Sequence, residues 1–239
     1  LVIGLKCGGS DVFSGITANP LLGALSDRII AMGGSTVLTE VPEMFGAETI
    51  LMDRCRTKEV FNKTVDLINN FKRYFMRYGE KTNENPSPGN KAGGITTLED
   101  KSLGCITKGG TAPVEDVLSY GECVKKKGLT LLQAPGNDLV ASNALAASGA
   151  QIILFTTGRG TPFGCPVPTV KVSSNSALAL NKPAWIDYNA GALLEDKTMP
   201  ELTDGLLDFV LRLASGEIKA KAEDFDRKEL AVFKDGVTL

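Results

Sequence analysis

The sequence predicts an α/β domain built on a mainly parallel sheet. Short apolar runs of strand length alternate with stretches of helical periodicity along the chain, which is the pattern of successive βα units. Composition agrees: 43% of the 239 residues are hydrophobic and 23% charged, enough for one large core or two small ones. No apolar run approaches the roughly 18–20 residues that span a bilayer, and runs such as residues 152–155 are only strand-length.

Residues 1–5 read as the first strand. Asn19-Pro20 marks a helix start, with Asn as the cap and Pro in the first turn, and the helix runs to Gly33-Gly34. Residues 35–39 form a second strand. A long helix is expected from a Thr57 cap toward Tyr78, with Val60, Val65, Ile68, Phe71 and Phe75 near helical spacing. Residues 80–95 (EKTNENPSPGNKAGGI) read as a long Gly/Pro/Asn loop of the kind that is functional or disordered. The alternation then resumes with a strand at 130–133, an Asn137-capped helix to Gly149 and a strand at 151–155. A loop follows at 156–169, then short strands at 169–173 and 184–188. The last helix runs from about Pro200 to Ala214 and ends at Gly216. One domain covering residues 1–239, with a helical insertion at 55–120, is the expected organisation.

Several function classes fall away on composition. The 26 basic and 28 acidic residues give a net charge of -2, so no positive field draws nucleic acid, and no membrane segment is expected. The count of histidines is zero, which removes Ser-His-Asp triads, HExxH zinc sites and His bases from within this chain. Five scattered cysteines without a CxxC pair argue against a disulfide framework or structural zinc and fit the reducing cytoplasm. The chain opens without Met on what reads as a buried strand and carries no signal peptide, as expected of part of a larger protein.

Four loops mix Gly with Ser, Thr or Asn and a cation: residues 6–15 (KCGGSDVFSG), 87–94 (SPGNKAGG), 108–111 (KGGT) and 156–164 (TTGRGTPFG). Gly lets backbone approach a ligand and turn N–H groups toward an oxyanion. Named nucleotide motifs fail, because Gly164 comes one place late for GxGxxG after Gly158 and Gly160. In residues 104–111, Gly110 stands where a P-loop needs Lys. The site expected instead binds a small carboxylate. Arg159, between two glycines, presents a bidentate fork, the alternative being a surface Arg in a turn. Ser10, Asp11, Asn90, Lys91, Thr156 and Thr157 are its expected neighbours on the substrate. Glu40, Glu43 and Lys101 are the expected acid–base residues, with helix-start carboxylates and solvated lysines as the alternative. Cys7 is a candidate soft-metal ligand or reactive thiol, or else a buried structural cysteine. If residues 1–5 and 151–155 are neighbouring parallel strands, residues 7–11 face 156–160 across one crevice, with Glu40 opening onto the same edge.

The segments GLKCGGSDVFSGITANP, TEVPEMFGAE, NPSPGNKAGGITTLEDKSLGC, APGND, FTTGRGTPFGCPVPTVKVSSNS, WIDYNAG, ASGE and FKDGVTL occur in this order. As a set they closely resemble the C-terminal domain of the altronate/galactarate dehydratase family of sugar-acid hydro-lyases, over essentially the whole chain. The resemblance implies a Rossmann-like, three-layer region and a divalent metal, typically Fe2+, in the complete enzyme. It also implies removal of water from a sugar acid such as altronate or galactarate to give a 2-keto-3-deoxy acid. Complete members carry an N-terminal SAF-type domain, so the fragment alone is expected to be inactive, and a homo-oligomer is a further expectation. The resemblance extends to sulfo-lyases acting on sulfolactate; a rival from another class is a non-catalytic carboxylate-binding or oligomerisation domain.

Overall fold

Seven strands run parallel in one sheet in the computed structural model, which describes residues 1–82 and 86–236. They are β1 (Val2–Cys7), β2 (Ser35–Leu38), β3 (Val114–Leu118), β4 (Gly128–Leu132), β5 (Ile152–Thr157), β6 (Thr169–Ser173) and β7 (Tyr188–Asn189), in the spatial order β3-β4-β2-β1-β5-β6-β7. The helices are α1 (Ala18–Ala31), α2 (Glu48–Met52), α3 (Lys58–Arg77), α4 (Pro88–Ala92), α5 (Leu98–Ile106), α6 (Asp138–Ala147), α7 (Ser176–Asn181), α8 (Met199–Ala214) and α9 (Lys221–Asp224). Residues 83–85 of the expected loop and residues 237–239 of the terminal FKDGVTL segment lie outside the described residues.

The α/β reading holds as three layers. Alternate residues of the central strands face opposite sides: Ile3, Leu5, Ile152 and Leu154 pack with α1, α3 and α8. Val37, Leu132 and Ile153 pack with Ala141, Ala144 and Leu145 of α6 on the other face. Burial on both faces explains why β1 and β5 read as continuous apolar runs. Gly4 is where α6 comes closest, since a Cβ there would stand 3.1 Å from Leu145 and from Ile153. Among the described residues no helix is long and apolar enough to cross a membrane.

Caps set the helix starts that the sequence announced. Thr57 accepts from the Val60 N–H at 3.2 Å, and α3 buries Val60, Thr64, Leu67, Ile68 and Phe71 along one stripe. Asn137 accepts from Leu139 and Val140, and Thr198 with Glu201 closes a capping box on α8.

Four expectations need correction. Asn19 lies inside α1 and Thr17 flanks its start, because the Asn19 side chain is engaged across the sheet edge. Residues 55–120 are only partly a helical insertion: residues 114–118 form β3, paired with β4, since alternating burial suits an edge strand. The strand at 184–188 shrinks to Tyr188–Asn189, which is all that pairs with β6. Within residues 80–95, Ser87 and Asn90 cap the short helix α4 reciprocally.

Candidate functional site

β1 and β5 are direct neighbours, with Cys7 in register with Thr156, so the loops that follow them leave by the same edge. The Gly8 N–H donates to Thr156 O at 3.0 Å and the Gly158 N–H to Gly9 O at 3.1 Å, stitching the two loops together. From β1 the chain steps to β2 on one side, and from β5 to β6 on the other. That reversal is the place where open α/β sheets bind ligands. A cavity of about 490 Å³ opens there, walled by residues 7–10, Glu40, Glu43, Asn90, Lys101, Asp138 and Arg159.

Its floor is a knot of buried charge. Glu40, two residues past β2, sits in the left-handed region, with φ 66° and ψ 62°, a conformation that costs a non-glycine residue about 1–2 kcal/mol. Hydrogen bonds on either side hold it there: Thr39 Oγ1 to Leu132 O at 2.9 Å, and the Val41 N–H to Ala134 O at 3.0 Å. The turn aims the carboxylate inward, where Oε1 accepts from Lys6 Nζ and Oε2 accepts from Lys108 Nζ and the Cys7 N–H, both at 3.0 Å. Lys6 also reaches Asp138 Oδ1 at 2.8 Å and Cys7 O at 2.7 Å. Burial by itself would push the Glu40 carboxyl up, but the Lys108 and Lys6 ammonium groups hold it down at about 2. Burial would likewise lower Lys6, and the charges of Asp138 and Glu40 overturn that and raise it.

A second buried pair stands beside the first. Lys101 Nζ donates to Glu43 Oε1 at 2.8 Å and to Asn90 Oδ1 at 3.2 Å. Pro42 and Glu43 sit in a short 3-10 turn over Val41–Met44, and Lys101 comes from α5. Burial opposes the Lys101 charge, but Glu43 raises its pKa above the ordinary value. Between the two pairs, Cys7 Sγ lies 3.4 Å from Cys105 Sγ, and Cys105 approaches Glu43 Oε2 at 3.7 Å. The hydrogen bond from Cys105 draws the Cys7 thiol down to about 7 against the effect of burial, and the same contact, with burial, pushes Cys105 well up.

The expected site residues divide accordingly. Ser10, Glu40, Glu43, Asn90, Lys101, Arg159 and Cys7 all reach the cavity wall. Arg159 is exposed, its guanidinium lies over Gly89, and it makes no ion pair among the described residues. Asn90 does more fastening than facing, since its Nδ2 donates to Ser10 O at 3.0 Å and ties α4 to the β1 loop. Asp11 is a fastener too: Oδ1 accepts from Ser14 and Ser174 hydroxyls at 2.8 and 2.7 Å, and Oδ2 from Asn175 at 3.1 Å. Thr156 and Thr157 are buried at the end of β5, bonded to Asn19 Oδ1 and to the Gly160 N–H, and do not line the cavity. Lys91 is exposed on α4, also outside the wall. The KGGT segment packs against α1, where Asp27 accepts the Thr111 and Ala112 N–H groups at 2.9 Å.

Cys105 and Asp138 are neighbours of the site that sequence reasoning missed, and Lys6 and Lys108 figured only as the cations of two glycine-containing loops. A lysine inside the apolar strand VIGLKC was the available signal, because a central strand buries a charge only opposite a partner.

The iron expected from the resemblance finds no fitting donor set here. Among the described residues no three His, Cys, Asp or Glu side chains are grouped to hold a metal ion. Glu40 is already taken up by two lysines, and Lys6, Lys101 and Lys108 crowd the floor with positive charge. Cys7, expected as a soft-metal ligand, faces another thiol in that cationic setting.

A family model described as D-galactarate/Altronate dehydratase, C-terminal, matches residues 1–238. The chain is 66% identical over 240 residues to a protein named altronate dehydratase from Bacillus subtilis (strain 168), covering 100% of this chain and 48% of that protein. It is 58% identical over 239 residues to an altronate dehydratase from Escherichia coli (strain K12), again covering 100% and 48%. To galactarate dehydratase (L-threo-forming) of Escherichia coli (strain K12) it is 37% identical over 236 residues, covering 98% and 45%. The chain thus spans about half the length of these curated relatives.

Proposed function

The chain belongs to the D-galactarate/altronate dehydratase C-terminal family, and from that premise we propose that it forms the carboxylate-binding and proton-transferring wall of a sugar-acid hydro-lyase acting on altronate. The product is a 2-keto-3-deoxy acid. Altronate is preferred over galactarate because the relatives so named are 66% and 58% identical, against 37%. One observation carries the reading: the exposed guanidinium of Arg159, which has no ion pair among the described residues, and the buried Glu43–Lys101 pair open into one cavity at the strand-order reversal.

Arg159 takes the substrate carboxylate in a two-pronged grip, which orients C2 toward the floor. Glu43 accepts the C2 proton, a proton made more acidic by the neighbouring carboxylate once cations stabilise the enediolate. The C3–O bond then breaks, and the Lys101 ammonium protonates the departing hydroxyl to release water. The resulting enol takes up a proton at C3 to become the ketone. Glu40 stays outside this exchange, since both its oxygens are occupied by Lys6, Lys108 and the Cys7 N–H; it fixes the cationic floor. A second wall comes from the remaining half of the full-length protein, which works in the reducing cytoplasm.

The full-length protein, offered altronate, galactarate and sulfolactate in parallel, should form 2-keto-3-deoxy acid fastest from altronate. Glu43→Gln should lower kcat by about 10²–10⁴-fold, the usual worth of a general base. Turnover of sulfolactate alone, binding without turnover, or an unimpaired Glu43→Gln variant each overturns the assignment.

A further inference from the structure

We propose that Cys7 and Cys105 are a peroxide-oxidisable pair whose disulfide switches the site off until a thiol reductant reopens it. The two sulfurs lie 3.4 Å apart although 98 residues separate them in sequence. Both are buried, at 3% exposure, yet Cys7 lines the larger cavity and Cys105 a second one of about 440 Å³ on the other side of Lys101. A small oxidant therefore reaches the pair through space already open. The remaining cysteines lack this arrangement: Cys55 and Cys165 lie against threonine hydroxyls, and Cys123 is exposed with its thiol on Ala147 O.

The chemistry closes with hydrogen peroxide as the oxidant. Cys7 sulfur attacks the peroxide O–O bond and gains one oxygen as the sulfenic acid, while hydroxide leaves and takes up the thiol proton to become the first water. Cys105 sulfur then displaces that oxygen, its proton goes to the departing oxygen, and the products are the disulfide and water. Two thiols are oxidised and one peroxide is reduced to two waters.

The linkage acts where the proposed reaction happens. Cys105 lies one helical turn after Lys101 on α5, so the two share a face, and Cys105 also touches Glu43. Bonding Cys105 to the end of β1 removes its S–H from Glu43 and tethers the helix face that presents Lys101. Only this loss of turnover rests on the dehydratase reading; the covalent change does not.

The test treats the full-length protein with hydrogen peroxide, alkylates remaining thiols after denaturation, and maps the peptides. The expected result is a Cys7–Cys105 cross-linked peptide lighter by two hydrogens, loss of most turnover, and recovery of both with dithiothreitol. In Cys105→Ser, Cys7 should instead carry two or three oxygens and turnover should not recover. The proposal is overturned if a dose that oxidises Cys123 leaves Cys7 and Cys105 alkylatable. It is equally overturned if Cys7 in the unaltered protein gains oxygen without linking. The map of the unaltered protein decides both points even if the variant fails to fold.

Discussion

The ammonium of Lys6 lies against Oε1 of Glu40 across two neighbouring parallel strands, and neither side chain reaches solvent. Lys108 closes the same carboxylate from the other side at 3.0 Å. Removing one member of such a group leaves uncompensated buried charge. Glu40→Gln should cost about 3–5 kcal/mol of unfolding free energy, read by denaturant titration. Because the folded carboxyl sits at about 2, its contribution is complete above the unfolded value of 4.5 and is lost as pH falls between the two. The acid-unfolding curve of Glu40→Gln should be correspondingly flatter over that interval; an unchanged curve would show that the pair contributes nothing.

Arg159 is worth more for its shape than for its charge. A lysine there keeps the positive charge and loses the second prong, so Arg159→Lys in the full-length enzyme should lose about 1–3 kcal/mol of transition-state binding. That corresponds to roughly a 5- to 150-fold drop in kcat/KM. Wild-type kinetics in this variant contradict the proposed grip.

Gly89 offers a way to move Arg159 without touching it. A Cβ at residue 89 would come within 2.1 Å of Arg159 Nη1, the far end of a flexible side chain that swings away. Alanine also suits the helical backbone of α4 by about 0.5–1 kcal/mol over glycine. Gly89→Ala should therefore raise KM for the sugar acid with no loss of thermal stability. A lowered Tm with KM unaltered counts against the arrangement.

Lys171, in the middle of β6, is held down at about 8 by burial, only partly offset by Asp187. The unfolded chain keeps its lysine charged to about 10.4, so charging Lys171 penalises the fold fully below about pH 8, and the penalty lifts as pH rises from there toward the unfolded value. Lys171→Met should be more stable than the unaltered protein by on the order of 2–3 kcal/mol at pH 7, a gap that closes toward pH 10. Paired urea titrations at several pH values measure it.

Much of the scaffold was legible because single residues announce it. Thr57 and Asn137 cap the helices expected of them, and β6 occupies residues 169–173 as the alternation predicts. β3 escaped because Glu115 and Asp116 make an edge strand look like loop, and only its pairing with β4 reveals it. At the site, Arg159 and the β1 loop were readable from glycine context, and Glu43 from its place after a strand. Thr156 misled for a physical reason: a threonine at a strand end resembles a ligand donor until helix α1 supplies Asn19 as its partner. Cys105 carried no local signal, and the KGGT context of Lys108 did not reveal its burial against Glu40, since what gives both residues meaning is a partner dozens of residues away.

The neighbour order of β1 also governs how the chain is made. β1 spans Val2–Cys7 and its partner β5 spans Ile152–Thr157, so synthesis at about 5–20 residues per second delivers β5 roughly 7–30 s later. Until then one side of β1 presents unpaired backbone groups and an apolar run, the kind of edge that invites association between nascent chains. Lys6 waits as well: Glu40 emerges early, but Asp138, its other carboxylate partner, follows only shortly before β5. A ribosome-bound intermediate ending before residue 150 should therefore depend on chaperone protection, whereas one extended past β5 should resist protease along β1.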